Sequence, residues 1–145
     1  MATIRGTNIA DILIGIDLAD YIYGYDGDDF IYGRAGNDYI EAGEGNDTVY
    51  GETGDDFIKG GPGDDLIYGS AGNDSFDGGA GNDHMIGDVG NDIFEGKDGD
   101  DIIEGGDGHD MMLGSTGNDT LYGGAGRDYL DAGPGNDIIY AGDGD

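Results

Sequence analysis

The sequence predicts an all-β solenoid, short parallel strands stacked coil upon coil with two nine-residue units to each coil. Three observations lead there. From Gly6 the chain divides into nine-residue units without insertion or deletion: 15 full units over residues 6–140, then AGDGD at 141–145. Position 8 is apolar in all 15 units, from Leu13, Ile22 and Ile31 to Leu130 and Ile139. Positions 1–6 are built from Gly, Asn and Asp, which accept positive φ and tight turns, whereas positions 7–9 are rich in Ile, Tyr, Phe and Leu, which favour strands. A six-residue turn and a three-residue strand cannot stand alone, but stacked copies can bury one another.

Composition narrows the class. The 145 residues include 34 Gly, and 33 acidic side chains face 5 basic ones, for a formal charge of −28. Of the acids 28 are Asp, a bias toward a short carboxylate held close to the backbone, as in turns and oxygen-rich metal sites. Such a charge argues against nucleic acid and anionic lipid as partners and for cations. With no Cys, disulfides and thiolate metal sites are excluded. No apolar run approaches the ~18 residues of a membrane span, and MATIRGTNIA has no apolar leader segment. Composition alone also fits a disordered chain; a register kept from residue 6 to residue 140 argues against it.

Residues 1–145 read as a single domain. Units 1 and 2 (6–23) are degenerate, with Ile9 and Leu18 where position 4 is otherwise Gly. They are expected to cap the N-terminal end, apolar side chains covering an open stack, and to bind metal poorly or not at all. Units 3–15 (24–140) have intact turns, with Ala42 and Ala132 replacing Gly at position 1, and 141–145 is a partial unit. In each unit a strand over positions 7–9 points position 8 inward and positions 7 and 9 outward. With coils about 4.8 Å apart, seven and a half of them make a stack roughly 36 Å long.

Position 6 is Asp in every full unit. Turns on one side of the stack belong to units i and i+2, so their carboxylates lie one strand spacing apart and repel unless a cation sits between them. Calcium takes six to eight oxygens from carboxylates and carbonyls, and Gly-rich turns let carbonyls point inward. The candidate ligands are Asp29, Asp38, Asp47, Asp56, Asp65, Asp74, Asp83, Asp92, Asp101, Asp110, Asp119, Asp128 and Asp137. Turn carbonyls join them, for example those of Gly60, Gly61, Gly63, Gly78, Gly79 and Gly81. Units 3–15 pair into eleven sandwiched positions, and eleven Ca2+ ions would take −28 to −6. The apolar interior is one side chain per unit, so the metal-free chain is expected to be largely unfolded and calcium to fold it cooperatively.

Runs such as GGPGDDLIYGSAGNDSFDGGAGND (60–83) resemble the glycine-rich nonapeptide GGxGxDxUx, U being a large apolar residue, of the repeats-in-toxin (RTX) family. The likeness covers 24–140 well and 6–23 in weakened form. It implies a right-handed parallel β-roll with calcium between stacked turns, held by carbonyls and the position-6 Asp. It also implies an extracellular setting. Such rolls accompany secreted bacterial proteases, lipases, toxins and epimerases, cross a type I secretion channel unfolded, and fold outside where calcium is plentiful. The family's C-terminal secretion signal and capping segment are not seen, and the last turn breaks off at Asp145, so a piece of a larger or engineered protein is expected.

Position 9 separates the two faces. In odd units it reads Ile14, Tyr32, Tyr50, Tyr68, Ile86, Glu104, Tyr122, Tyr140; in even units Tyr23, Glu41, Lys59, Asp77, Glu95, Leu113, Asp131. The first series is either a contact surface for sugar, partner or a second copy (self-association through Tyr32, Tyr50, Tyr68, Tyr122 and Tyr140), or in-register stacking of strand-favouring residues on a solvent face. Asn at position 5, as in Asn37 and Asn46, is expected to serve the turn backbone. His84 and His109 read as surface residues. No G-x-S-x-G, H-E-x-x-H or EF-hand loop occurs, and no enzyme is expected.

Overall fold

The computed structural model describes residues 1–144; Asp145, the end of the partial unit, lies outside them. Strands are numbered in chain order. One eight-stranded sheet stacks β1 (Thr3–Arg5), β3 (Tyr21–Asp26), β5 (Tyr39–Glu44), β7 (Phe57–Pro62), β9 (Ser75–Ala80), β11 (Ile93–Asp98), β13 (Met111–Thr116) and β15 (Tyr129–Asp131). The other stacks β2 (Ile12–Ile14), β4 (Phe30–Ala35), β6 (Thr48–Thr53), β8 (Leu66–Ala71), β10 (His84–Val89), β12 (Ile102–Gly108), β14 (Thr120–Gly126) and β16 (Ile138–Tyr140). Every pairing is parallel and joins residues 18 apart, as in Ile22↔Ile40 and Ile67↔Met85. The chain therefore alternates sheets unit by unit, and the architecture is the expected parallel β-roll.

The strands are longer than propensity suggests. Most run six residues, through positions 7–9 and on over positions 1–3 of the next unit. Tyr25↔Gly43 and Asp26↔Glu44, for example, continue the ladder past the apolar triplet. Gly and Asp are poor strand formers, but hydrogen bonds from the neighbouring coil outweigh that preference. Position 2 takes left-handed φ in every unit from the third on, including seven non-Gly residues such as Arg34 (78°), Ser70 (80°) and Lys97 (81°).

Inside, positions 6, 8 and 1 follow one another with the two-residue period of a strand: Asp, an apolar side chain, then Gly. Position 8 is buried from Leu13 to Leu121, with Phe76 and Phe94 stacked at 4.5 Å. Leu130 is partly buried and Ile139 is 48% exposed at the C-terminal end. At the N-terminal end Ile4 packs against the core. Ile9 and Leu18, expected to cover this end, instead stand 69% and 59% exposed on the turns. Lacking Gly's freedom at position 4, these turns carry their side chains outward, and β1 does the covering.

Candidate metal centres

Each turn begins at the inward Gly of position 1 and ends at the inward Asp of position 6, so the turn curls around its own carboxylate. A Cβ added to Gly60 would fall 2.2 Å from Asp65 Oδ2 and 2.6 Å from the carbonyl oxygen of Gly78, one coil on. The same collision recurs at Gly24, Gly51, Gly96 and Gly114. Gly leaves room there between the carboxylate and the next coil's carbonyl; in unit 5 the turn adjusts to take the methyl of Ala42, 1% exposed, at the equivalent position. Of the other glycines named above, Gly61 and Gly63 present their carbonyls to Gly79 and Gly81, where a Cβ would come within 2.1 Å.

The two oxygens of each carboxylate have different fates. Oδ1 reaches back one coil and accepts the backbone N–H of the Asp 18 residues earlier, in an unbroken series from Asp11→Asp29 to Asp119→Asp137 at 2.7 to 3.0 Å. Oδ2 is buried without a hydrogen-bond partner in Asp29, Asp38, Asp47, Asp56, Asp65, Asp74, Asp83, Asp92, Asp101, Asp110 and Asp119. A buried acceptor left bare costs free energy, and a charged one costs more. Asp128 and Asp137 are only partly buried; each lends Oδ1 to the coil before it.

The electrostatics follow. Burial pushes the carboxyl of Asp65 up to about 8, helped by the charges of Asp83 and Asp47 and opposed by the Asp47 N–H. Asp56, Asp83 and Asp92 rise to about 7, and Asp38, Asp47, Asp74 and Asp101 to about 6, each first through burial. Asp29, Asp110 and Asp119 shift upward for the same reason. Among the described residues no three His, Cys, Asp or Glu side chains converge on one point. An ion held in these turns would need carbonyl oxygens beside the single carboxylate, a donor set that suits a hard cation such as calcium. The residues fit that ion: a bare buried carboxylate oxygen, a neighbouring carbonyl and a pocket kept open by Gly.

Position 5 holds a second ladder, running the other way. Its side-chain oxygen accepts the backbone N–H of the position-5 residue 18 further on: Asn46 to Asp28, Asp64 to Asn46, Asn82 to Asp64, Asp100 to Asn82 at 2.7 to 2.9 Å. On the opposite side the series passes through His109, whose Nδ1 accepts the N–H of Arg127 at 2.8 Å. The turn role expected for Asn is thus a link between coils. The available signal was that position 5 is Asn, Asp or His in every intact unit except the one holding Arg127. His84, on the outer face, bonds Glu104 through Nε2 at 2.7 Å.

A parallel solenoid whose turns from Asp29 to Asp119 each enclose a half-satisfied carboxylate is an oxygen-ligand cation binder by class. A family model, the RTX calcium-binding nonapeptide repeat, matches in four copies at residues 14–49, 50–85, 86–121 and 113–145. The chain belongs to that family, and its repeats are calcium-binding repeats. No curated protein matches the chain. No helix among the described residues is long and apolar enough to cross a membrane.

Proposed function

We propose that the chain is a calcium-responsive folding module that takes up about eleven Ca2+ ions, one in each intact turn from Asp29 to Asp119, and serves as the non-catalytic β-roll of a secreted protein. The eleven bare Oδ2 atoms carry this reading. Each ion would draw on its own turn's Asp, on turn carbonyls and on the following coil, where Asp128 and Asp137 complete the last two pairs. Bound calcium supplies positive charge that neutralises the buried carboxylates and links one coil to the next. Affinities of about 10⁻⁴–10⁻³ M suit an extracellular module and would keep the chain unfolded until it reaches calcium outside the cell, as passage through a type I channel requires. Circular dichroism during a calcium titration tests the reading: β structure should appear cooperatively with the metal and disappear in excess chelator. A full β signal in chelator would refute it.

A second reading, self-association, is favoured by the outer face of the even-numbered strands. Tyr32, Tyr50 and Tyr68 stack at 5.1 and 4.9 Å, and Tyr122 stacks on Tyr140 at 4.8 Å. Position 7 adds Ile12, Phe30, Leu66, Ile102 and Ile138 beside them. Eight strands about 4.8 Å apart and some 20 Å long present roughly 700 Å². Two copies face to face would bury about 1,400 Å², within the range of stable interfaces. Light scattering in calcium should show a dimer that Tyr50→Lys with Tyr68→Lys returns to monomer; a parent that is already monomeric refutes it.

A further inference from the structure

The first two turns treat the same carboxylate differently. In unit 1, Asp11 Oδ2 accepts the Thr7 N–H at 2.6 Å and the Thr7 hydroxyl at 2.9 Å. In unit 2, Asp20 Oδ2 accepts the Ile16 N–H at 2.7 Å, while Oδ1 accepts the Ala2 N–H at 2.5 Å with the terminal amine 3.8 Å away. Asp20 is 2% exposed, as buried as Asp38 one coil further along the same side. Yet Asp38 Oδ2 has no partner and Asp20 has both oxygens satisfied. The contrast goes with position 2. From unit 3 on that residue is left-handed; Thr7 and Ile16 are not, and there the position-2 amide meets the carboxylate.

We infer that units 1 and 2 are closed to calcium and need none: a backbone amide stands where the other turns take the ion, so residues 1–23 form the metal-independent end of a metal-dependent stack. The inference rests on the calcium reading of the intact turns. It gives the stack a polarity. When calcium is withdrawn, every turn from Asp29 to Asp119 is left with a bare buried oxygen, whereas the two N-terminal turns are not. Coils are therefore shed from the C-terminal side, and the N-terminal coils go last.

Hydrogen exchange with mass spectrometry on the full chain, at stepwise lower free calcium, tests this. Protection over residues 3–23 should persist to calcium about tenfold below the level at which residues 101–128 lose theirs. Simultaneous loss along the chain, or earlier loss at the N-terminal end, overturns the inference. A combined variant, Thr7→Gly, Ile9→Gly, Ile16→Gly and Leu18→Gly, gives both turns the intact glycine pattern. Equilibrium dialysis should then count two more calcium ions per chain than in the parent; an unchanged count in a variant that folds with calcium overturns the inference. If the variant does not fold, the exchange experiment on the parent decides. A parent that takes up no calcium would instead refute the proposed function, and this inference with it.

Discussion

Asp65 has one oxygen bonded to the Asp47 amide and one with nothing to bond. Its carboxyl is raised to about 8, and those of its neighbours in the two columns to between about 6 and about 7. A carboxyl raised in the folded state stabilises the fold fully below its unfolded value of 3.8, and that contribution is lost as pH rises through the folded value. Without metal, the chain should therefore gain β structure when acidified from about pH 8 to about pH 5. Circular dichroism in chelator checks this; structure lost on acidification would contradict it. Backbone strain is a second matter at this scale. Ser70 holds φ at 80°, a conformation that costs an L residue roughly 1–2 kcal/mol. Ser70→Gly should raise stability in saturating calcium by about 1 kcal/mol, read from the denaturant midpoint. Gly43→Ala should do the reverse, because its methyl would land 1.8 Å from the Tyr25 carbonyl oxygen.

Each turn and strand together form the element that repeats, and two opposed ladders join successive copies. Position-6 side chains reach back one coil and position-5 side chains reach forward. His109 shows what the forward ladder requires, an acceptor at short reach. His109→Asn should leave the melting temperature nearly unchanged. His109→Leu strands the Arg127 amide and should cost about 1 kcal/mol, seen as a lower melting temperature. The Asn–Asp alternation was visible in the sequence but read as local turn chemistry, because a bond to a residue 18 positions away leaves no local trace. Strand length was misjudged for a related reason: positions 1–3 lack strand-forming side chains, and only the neighbouring coil makes them extended.

For the whole molecule, the nine-residue period was enough to specify two sheets, their parallel pairing and the 18-residue register. It also placed the position-6 carboxylates in two columns. It did not reveal that only one oxygen of each is free, nor that the first two turns satisfy theirs internally, since both depend on where particular amides point. Because coils pair only with adjacent coils, whole coils are interchangeable. Deleting residues 60–77 should leave a folded stack with two fewer calcium ions, counted by equilibrium dialysis. Deleting 60–68 alone would move every later unit to the opposite sheet and interrupt the tyrosine column. The opposed ladders also bear on how the molecule yields to force. Pulled by its two ends, it should lengthen in discrete steps, each release of one 18-residue turn of the stack paying out roughly 60 Å of chain. With the metal bound it becomes a tether whose length under tension is counted in rungs.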